Sequence, residues 1–287
     1  MRGELLLQRV LMRGALLCIG QDTCVEIIDS RGPPSDWAGF ASSRASACVR
    51  LALEVHRRPC PPLGPLELVF DSEGLWTLSR AGRLDVFDLP GLRAVVDFGA
   101  GQGHIHVHEP DREAFAYPLD EVLFSRLLAE RGAVIVHACG VALGDRALLL
   151  AGESGAGKST LAKLLEGQRG ASVLGDDRIA LEASEAGVRI WGTPWRGTAG
   201  LCRDRSTSLA QILFIRHADA LRQRHLSGVE AASRLLALSA LPYWDRVATG
   251  RAADGVLDVI SRVPASDLGF TPGPEAAGFL LDCLMDS

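Results

Sequence analysis

The sequence predicts an α/β fold over its second part, preceded by a smaller β-rich α+β domain. Three observations carry this. From residue 119 onward, apolar strand-like runs alternate with segments of helical spacing, the signature of a sheet covered by helices. Before that point, short runs are separated by Gly, Pro, Asp and Ser, the punctuation of strands and turns. The length, 287 residues, accommodates two domains of ordinary size. The expected units are 1–118 and 119–287, with the Pro110–Pro118 loop as the boundary.

In the first unit, strands are expected at 66–70 (LELVF), 75–80 (LWTLSR), 83–89 (RLDVFDL) and 93–98 (RAVVDF), with a helix before them at 43–57. In the second, Asp120–Glu130 has helical spacing, and 133–143 and 146–152 read as two strands joined by a Gly144-Asp145 turn. A helix is expected from Ser159, a further apolar step over Ser172–Asp177, and a strand over Gln211–Ile215. Ser227-Gly-Val-Glu230 is a capping box opening a helix to about Ala240, with Pro242 beyond it.

Composition narrows the function. A hydrophobic fraction of 47% with 23% charged residues is that of an ordinary folded protein and excludes a disordered chain, a collagen or a coiled coil. The net charge of −5 argues against a general nucleic-acid binder. No apolar run reaches the roughly 18 residues of a membrane span, and Glu4, Arg9 and Arg13 interrupt the apolar N-terminus, so no signal peptide is expected. The seven cysteines form no CxxC pair and read as free thiols of a cytoplasmic protein.

The cations are unevenly chosen. Lysine occurs only at Lys158 and Lys163 among 30 basic residues. Lys158 belongs to Gly152-Glu153-Ser154-Gly155-Ala156-Gly157-Lys158-Ser159, followed by Thr160, which fits G-x-x-x-x-G-K-[ST]. Such glycines let backbone N–H groups turn inward on phosphate oxygens, and the following helix adds its positive end. A lysine reaches the β- and γ-phosphates as a compact charge, and the serine hydroxyl faces Mg²⁺. The apolar strand run Ala147–Ala151 before the loop and an amphipathic run after it are the context this motif requires.

Asp176 and Asp177 close the apolar step at 172–175, which places them at the carboxyl end of a strand, where α/β sheets bind ligands. One carboxylate there can hold Mg²⁺ and the other can take a proton from an attacking hydroxyl; a solvated Asp-Asp turn is the plainer alternative. His137 lies in the strand run VIVHA, where a core histidine is the ordinary reading.

Together His137, the GESGAGKS loop and Gly175-Asp-Asp-Arg178 resemble the catalytic domain of bacterial HPr kinase/phosphorylase and its related kinases. Their nucleotide core is similar to that of phosphoenolpyruvate carboxykinase. The resemblance covers about residues 119–272. It implies a P-loop kinase domain that uses ATP and Mg²⁺, with Gly152 to Thr160 on the nucleotide. Ser159 and Asp176 would hold the metal, Asp177 would act as base, and Lys158 and His137 would lie beside the transferred phosphate. Thr160 stands where HPr kinases usually carry Glu, and Gly192-Thr-Pro-Trp-Arg-Gly197 looks like the related group. The implied acceptor is therefore a serine of a peptide or protein, such as a ribosomally made natural-product precursor. Arg196 is the candidate substrate contact, and self-association is expected. Transfer to a small-molecule hydroxyl, a nucleotide-binding regulatory module and an NTP hydrolase are the alternatives.

Three weaker signals remain. Arg196, Arg203, Arg205, Arg216, Arg222 and Arg224 form either a phosphate-clamping patch or an ordinary surface. Leu226–Glu230 (LSGVE) faintly resembles a transporter-ATPase signature but reads as a helix cap. His104, His106 and His108 alternate, so on one strand they would share a face able to bind zinc or simply exposed to solvent.

Overall fold

A computed structural model describes residues 14–20, 22–32, 34–41 and 49–285. The N-terminal segment 1–13 lies outside them. The described chain is a mixed α/β protein with two large sheets, and it divides into two compact units, Met1–Phe124 and Ser125–Ser287.

The first unit is built on β1 (Gly14–Ile19), β2 (Thr23–Ile28), β3 (Val49–His56), β4 (Glu67–Asp71), β5 (Thr77–Ala81), β6 (Leu84–Leu89), β7 (Leu92–Asp97) and β8 (Gln102–Val107). They form one sheet in the order β1-β2-β3-β8-β7-β6-β5-β4. The β2–β3 and β3–β8 pairs are parallel. The chain β8-β7-β6-β5-β4 is an antiparallel meander, as the turn residues between its strands predict.

One expectation fails here. Residues 49–56 are a strand, not the second half of a helix over 43–57; residues 43–48 lie outside the described residues. The run VRLALEVH carries good helix formers, but its burial has period two. Leu51, Leu53 and Val55 are buried, while Ala52, Glu54 and His56 are half-exposed. Pairing on both edges, with β2 and β8, overrides helix propensity.

A second correction concerns the cysteines. Cys18 and Cys24 face each other across the β1–β2 ladder and are joined as a disulfide. Their separation of six residues is a hairpin crossing, a pattern no CxxC search finds. The free-thiol argument for a reducing compartment therefore does not hold for this pair.

In the second unit, α1 (Leu119–Ala129) is followed by β9 (Val134–Leu143), β10 (Arg146–Ala151), α2 (Lys158–Leu165), β11 (Ser172–Gly175), β12 (Arg178–Ser184) and β13 (Gly187–Gly192). Then come β14 (Ser206–His217), β15 (Arg222–His225), α3 (Gly228–Ala237), α4 (Arg246–Arg262), β16 (Ala265–Phe270) and α5 (Pro274–Met285). The unit boundary falls inside α1, six residues after the expected one. Ser227 caps α3 by accepting a hydrogen bond from the Glu230 N–H, as the capping box predicts.

The sheet runs β10-β9-β12-β13-β14-β16-β15, with β11 on β9. β10 also pairs with β14, so part of the sheet closes on itself. At its centre β10, β14 and β16 are parallel. Alternate residues of β9 and β10 go to opposite cores. Val134, Val136, Ala147 and Leu149 pack with Leu235 of α3 and Val256 and Val259 of α4. Cys139, Val141, Leu148 and Leu150 pack with Leu161 and Leu165 of α2 and Leu280 of α5. Near-continuous apolar strands follow from being covered on both faces. The carboxyl ends of β10, β14 and β16 thus open at one edge, and that edge carries the site.

Candidate functional site

The glycine-rich loop leaves β10 at Ala151 and enters α2 at Lys158. Gly157 caps the helix at φ = 100°, a conformation open to glycine at little cost. A Cβ there would also lie 2.8 Å from the Phe270 ring. The loop is held from outside as well. His217, the last residue of β14, stacks on Phe270 at 5.7 Å, and its Nε2 lies 3.0 Å from the Gly155 carbonyl oxygen.

Lys158 is buried, and its ammonium donates to the carbonyls of Gly152 at 2.6 Å and Glu153 at 2.9 Å. Burial lowers its pKa, and the nearby Asp177 carboxylate partly opposes that. The lysine therefore stays inside its own loop, close to where the loop turns back.

The two aspartates have different surroundings. Asp176 is 1% exposed. Its carboxylate accepts from the backbone N–H of Gly197 (2.9 Å), Ala199 (2.6 Å) and Leu201 (3.2 Å). It is the pin that holds the 197–201 loop. Gly197 is required by this contact, since a Cβ would sit 2.7 Å from the carboxylate oxygen.

Asp177 instead meets side chains. Its Oδ1 lies 3.3 Å from His137 Nδ1, and its Oδ2 takes a hydrogen bond from Arg178. Burial pushes the Asp177 carboxyl up. The His137 hydrogen bond and the Arg178 charge outweigh it, and the net pKa is lowered. Asp177 is therefore an ionised carboxylate at neutral pH. The bond to it requires a proton on His137 Nδ1. Backbone pairing fixes this arrangement: Arg178 is the register partner of His137, and Ala138 N–H donates to the Asp177 carbonyl.

One cavity of about 510 Å³ is lined by His137, Lys158, Ser159, Thr160, Asp176 and Asp177, together with Ser154, Gly155, Gly157 and Arg196. Neither a family model nor a curated protein matches the chain. The site's chemistry is thus argued from its own residues.

Gly152, Glu153 and Ala156 open on a second cavity of about 510 Å³ beside the loop. Its far wall holds Arg216, Arg234 and Asp267, and His217 lines both cavities. Asp267 accepts from Arg216 Nε at 3.1 Å and from Arg234 at 2.9 Å. Sequence reasoning missed His217 and Asp267. Their only signal is position, His217 at the carboxyl end of one strand and Asp267 inside the strand beside it.

The arginine cluster does not form a single patch. Arg203 binds Glu166 and the Val173 carbonyl, Arg205 binds Ser172 and the Gly144 carbonyl, Arg216 pairs with Asp267, and Arg224 pairs with Glu230. These are ties between elements. Arg196 lines the cavity, and its side chain hydrogen-bonds the Cys202 thiol. Cys139 lies beneath the loop, fully buried, and burial pushes its thiol far up, which removes it as a nucleophile.

Proposed function

We propose that the chain is an ATP- and Mg²⁺-dependent kinase of the HPr-kinase-related type. It would transfer the γ-phosphoryl group to a serine hydroxyl of a peptide or protein. The observation that carries the reading is convergence. Lys158 and Ser159 of the loop, the Asp176–Asp177 pair and His137 come from three separate chain segments and line one cavity.

The donor set fits the groups that the reading requires. The loop's glycines and buried lysine suit phosphates, and hydroxyl and carboxylate oxygens suit a hard cation. Ser159 and the aspartate pair would hold Mg²⁺, which when bound neutralises charge on the phosphate oxygens. Within the pair, Asp176 is committed to three amides and keeps the 197–201 loop, with Arg196 at its start, against the cavity. Asp177 is ionised and can accept the proton of an acceptor hydroxyl. His137 holds the carboxylate in place through Nδ1 and lines the same cavity. Lys158 must exchange two carbonyls for phosphate oxygens, and its charge then stabilises the transferring group.

Among the described residues, no helix is long and apolar enough to cross a membrane. A cytoplasmic, self-associating enzyme without a nucleic-acid partner belongs to the same reading.

The test is transfer from γ-labelled ATP with Mg²⁺ in cell lysate, comparing wild type with Lys158→Ala and Asp177→Asn. A peptide or protein labelled by wild type alone is expected. Nucleotide binding without transfer or free phosphate would overturn the reading in favour of a regulatory module. Free phosphate without a labelled acceptor would indicate a hydrolase.

A further inference from the structure

The first unit carries a separate cluster that the kinase reading does not use. β3 and β8 are parallel neighbours in which Glu54 is the register partner of His104, and His56 of His106. Residues two apart on a strand share a face, so all four stand on the same side of the sheet. That is the outer side: Leu51, Leu53, Val55 and Ile105 fill the opposite, buried side.

His56 Nε2 lies 3.0 Å from His104 Nδ1. Glu54 Oε2 lies 4.0 Å from the first nitrogen and 3.9 Å from the second. A tetrahedral ion with metal–nitrogen bonds of about 2.0–2.1 Å sets its ligands roughly 3.3 Å apart. The two imidazole nitrogens are already near that spacing, and the carboxylate needs to close by less than about 1 Å. Among the described residues, this is the one group of three such ligands within 4.8 Å of one another. His106 backs the cluster: it is 5% exposed, its ring stacks on His56 at 5.0 Å, and its Nδ1 has no hydrogen-bond partner.

We propose that Glu54, His56 and His104 bind a divalent cation of the zinc class, bridging β3 and β8 with at least one position open to solvent. Two imidazoles and one carboxylate suit Zn²⁺, Co²⁺ or Ni²⁺ and suit Mg²⁺ poorly. Three protein ligands leave the fourth tetrahedral position open. Arg58, the positive charge near His56 and His106, is exposed. Arg93, the β7 register partner of His106, is engaged by Asp88. His108 lies beyond the end of β8, so the three-histidine face read from the sequence is corrected to Glu54, His56 and His104. The competing arrangement is a metal-free hydrogen bond from one imidazole to the other.

The experiment is equilibrium dialysis of the untagged full chain against Zn²⁺ with Mg²⁺ in excess, counting zinc per chain. One tightly held equivalent is expected in wild type and in Asp177→Asn, which reports on the other unit. His56→Ala and His104→Ala should lose it. Glu54→Gln, which keeps shape and changes only charge, should bind about 10–100-fold more weakly. Circular dichroism checks that each variant folds, and zinc should slow amide exchange in β3 and β8 of wild type and Asp177→Asn but not of the histidine variants. Absence of zinc from wild type, retention with full affinity in either histidine variant, or loss in Asp177→Asn would each overturn the proposal.

Discussion

The two units keep their polar chemistry in different places. In the first, carboxylate and imidazoles stand on the outer face of a sheet, register partner beside register partner. In the second they gather in one cavity, around the turn between β11 and β12 and the loop after β10. A sheet face is programmed by period two, so its groups come as close pairs in sequence, Glu54 with His56 and His104 with His106. A strand-end site collects residues from successive crossovers, here at 137, 158, 177 and 196. The lesson is that a face cluster needs two strands in register, whereas a strand-end site needs every intervening loop held. The second unit accordingly contains pins, such as Asp176 on the 197–201 loop and His217 on the glycine-rich loop.

That contrast predicts which changes stay local. Lys158→Ala and Asp177→Asn should each lower phosphate transfer by at least about 10²–10³-fold, with amide exchange in the first unit unchanged; slowed transfer together with faster exchange in β3 and β8 would break the separation. Asp176→Ala removes the acceptor of three amides and should cost about 3 kcal/mol, read by urea unfolding and by faster exchange at 197–201. Unchanged stability together with unchanged exchange at 197–201 would show that Asp176 is not the pin of that loop.

Replacing both Cys18 and Cys24 with Ser releases a short loop and should cost about 2 kcal/mol, confined to the first unit's exchange. Ser227→Ala should remove about 1 kcal/mol from the second unit through α3 alone. The gentlest contrast is in pH. His56 and His106 titrate below their ordinary 6.5 because burial disfavours the charged ring. The unfolded chain then binds more protons, so the metal-free first unit loses stability as pH falls below 6.5. In the second unit, Asp177, Asp245 and Asp267 are lowered from 3.8, their ion pairs and hydrogen bonds outweighing burial. Their contribution persists until pH falls below that value. Exchange measured at pH 5 should show the first unit weakened and the second intact.

The same contrast explains what could be read in advance. The loop and Lys158 were legible because motif, flanking strand and helix are contiguous, and because lysine is otherwise nearly unused. Asp177 was legible as a carboxylate at a strand end and His137 as a histidine within a strand, though not as a bonded pair. The role of Asp176 was hidden, since its three amides lie 21 to 25 residues further along. The strand β3 was masked by helix-forming residues whose period-two burial emerges only between two partners. Without that strand, Glu54 and His56 could not be set beside His104. The Cys18–Cys24 bond needed the hairpin register, which neither cysteine announces.

Lys158 has one further consequence. Its ammonium is never idle: two tethered carbonyls hold it at 2.6 and 2.9 Å. Every anion that reaches the loop enters a competition against partners that cannot diffuse away. A monoanion offers little in return for breaking both contacts, whereas a polyphosphate brings several oxygens and a greater charge. If the loop takes phosphates as proposed, it would sort anions by charge density. Acetate should leave the lysine where it is, and pyrophosphate should draw it out.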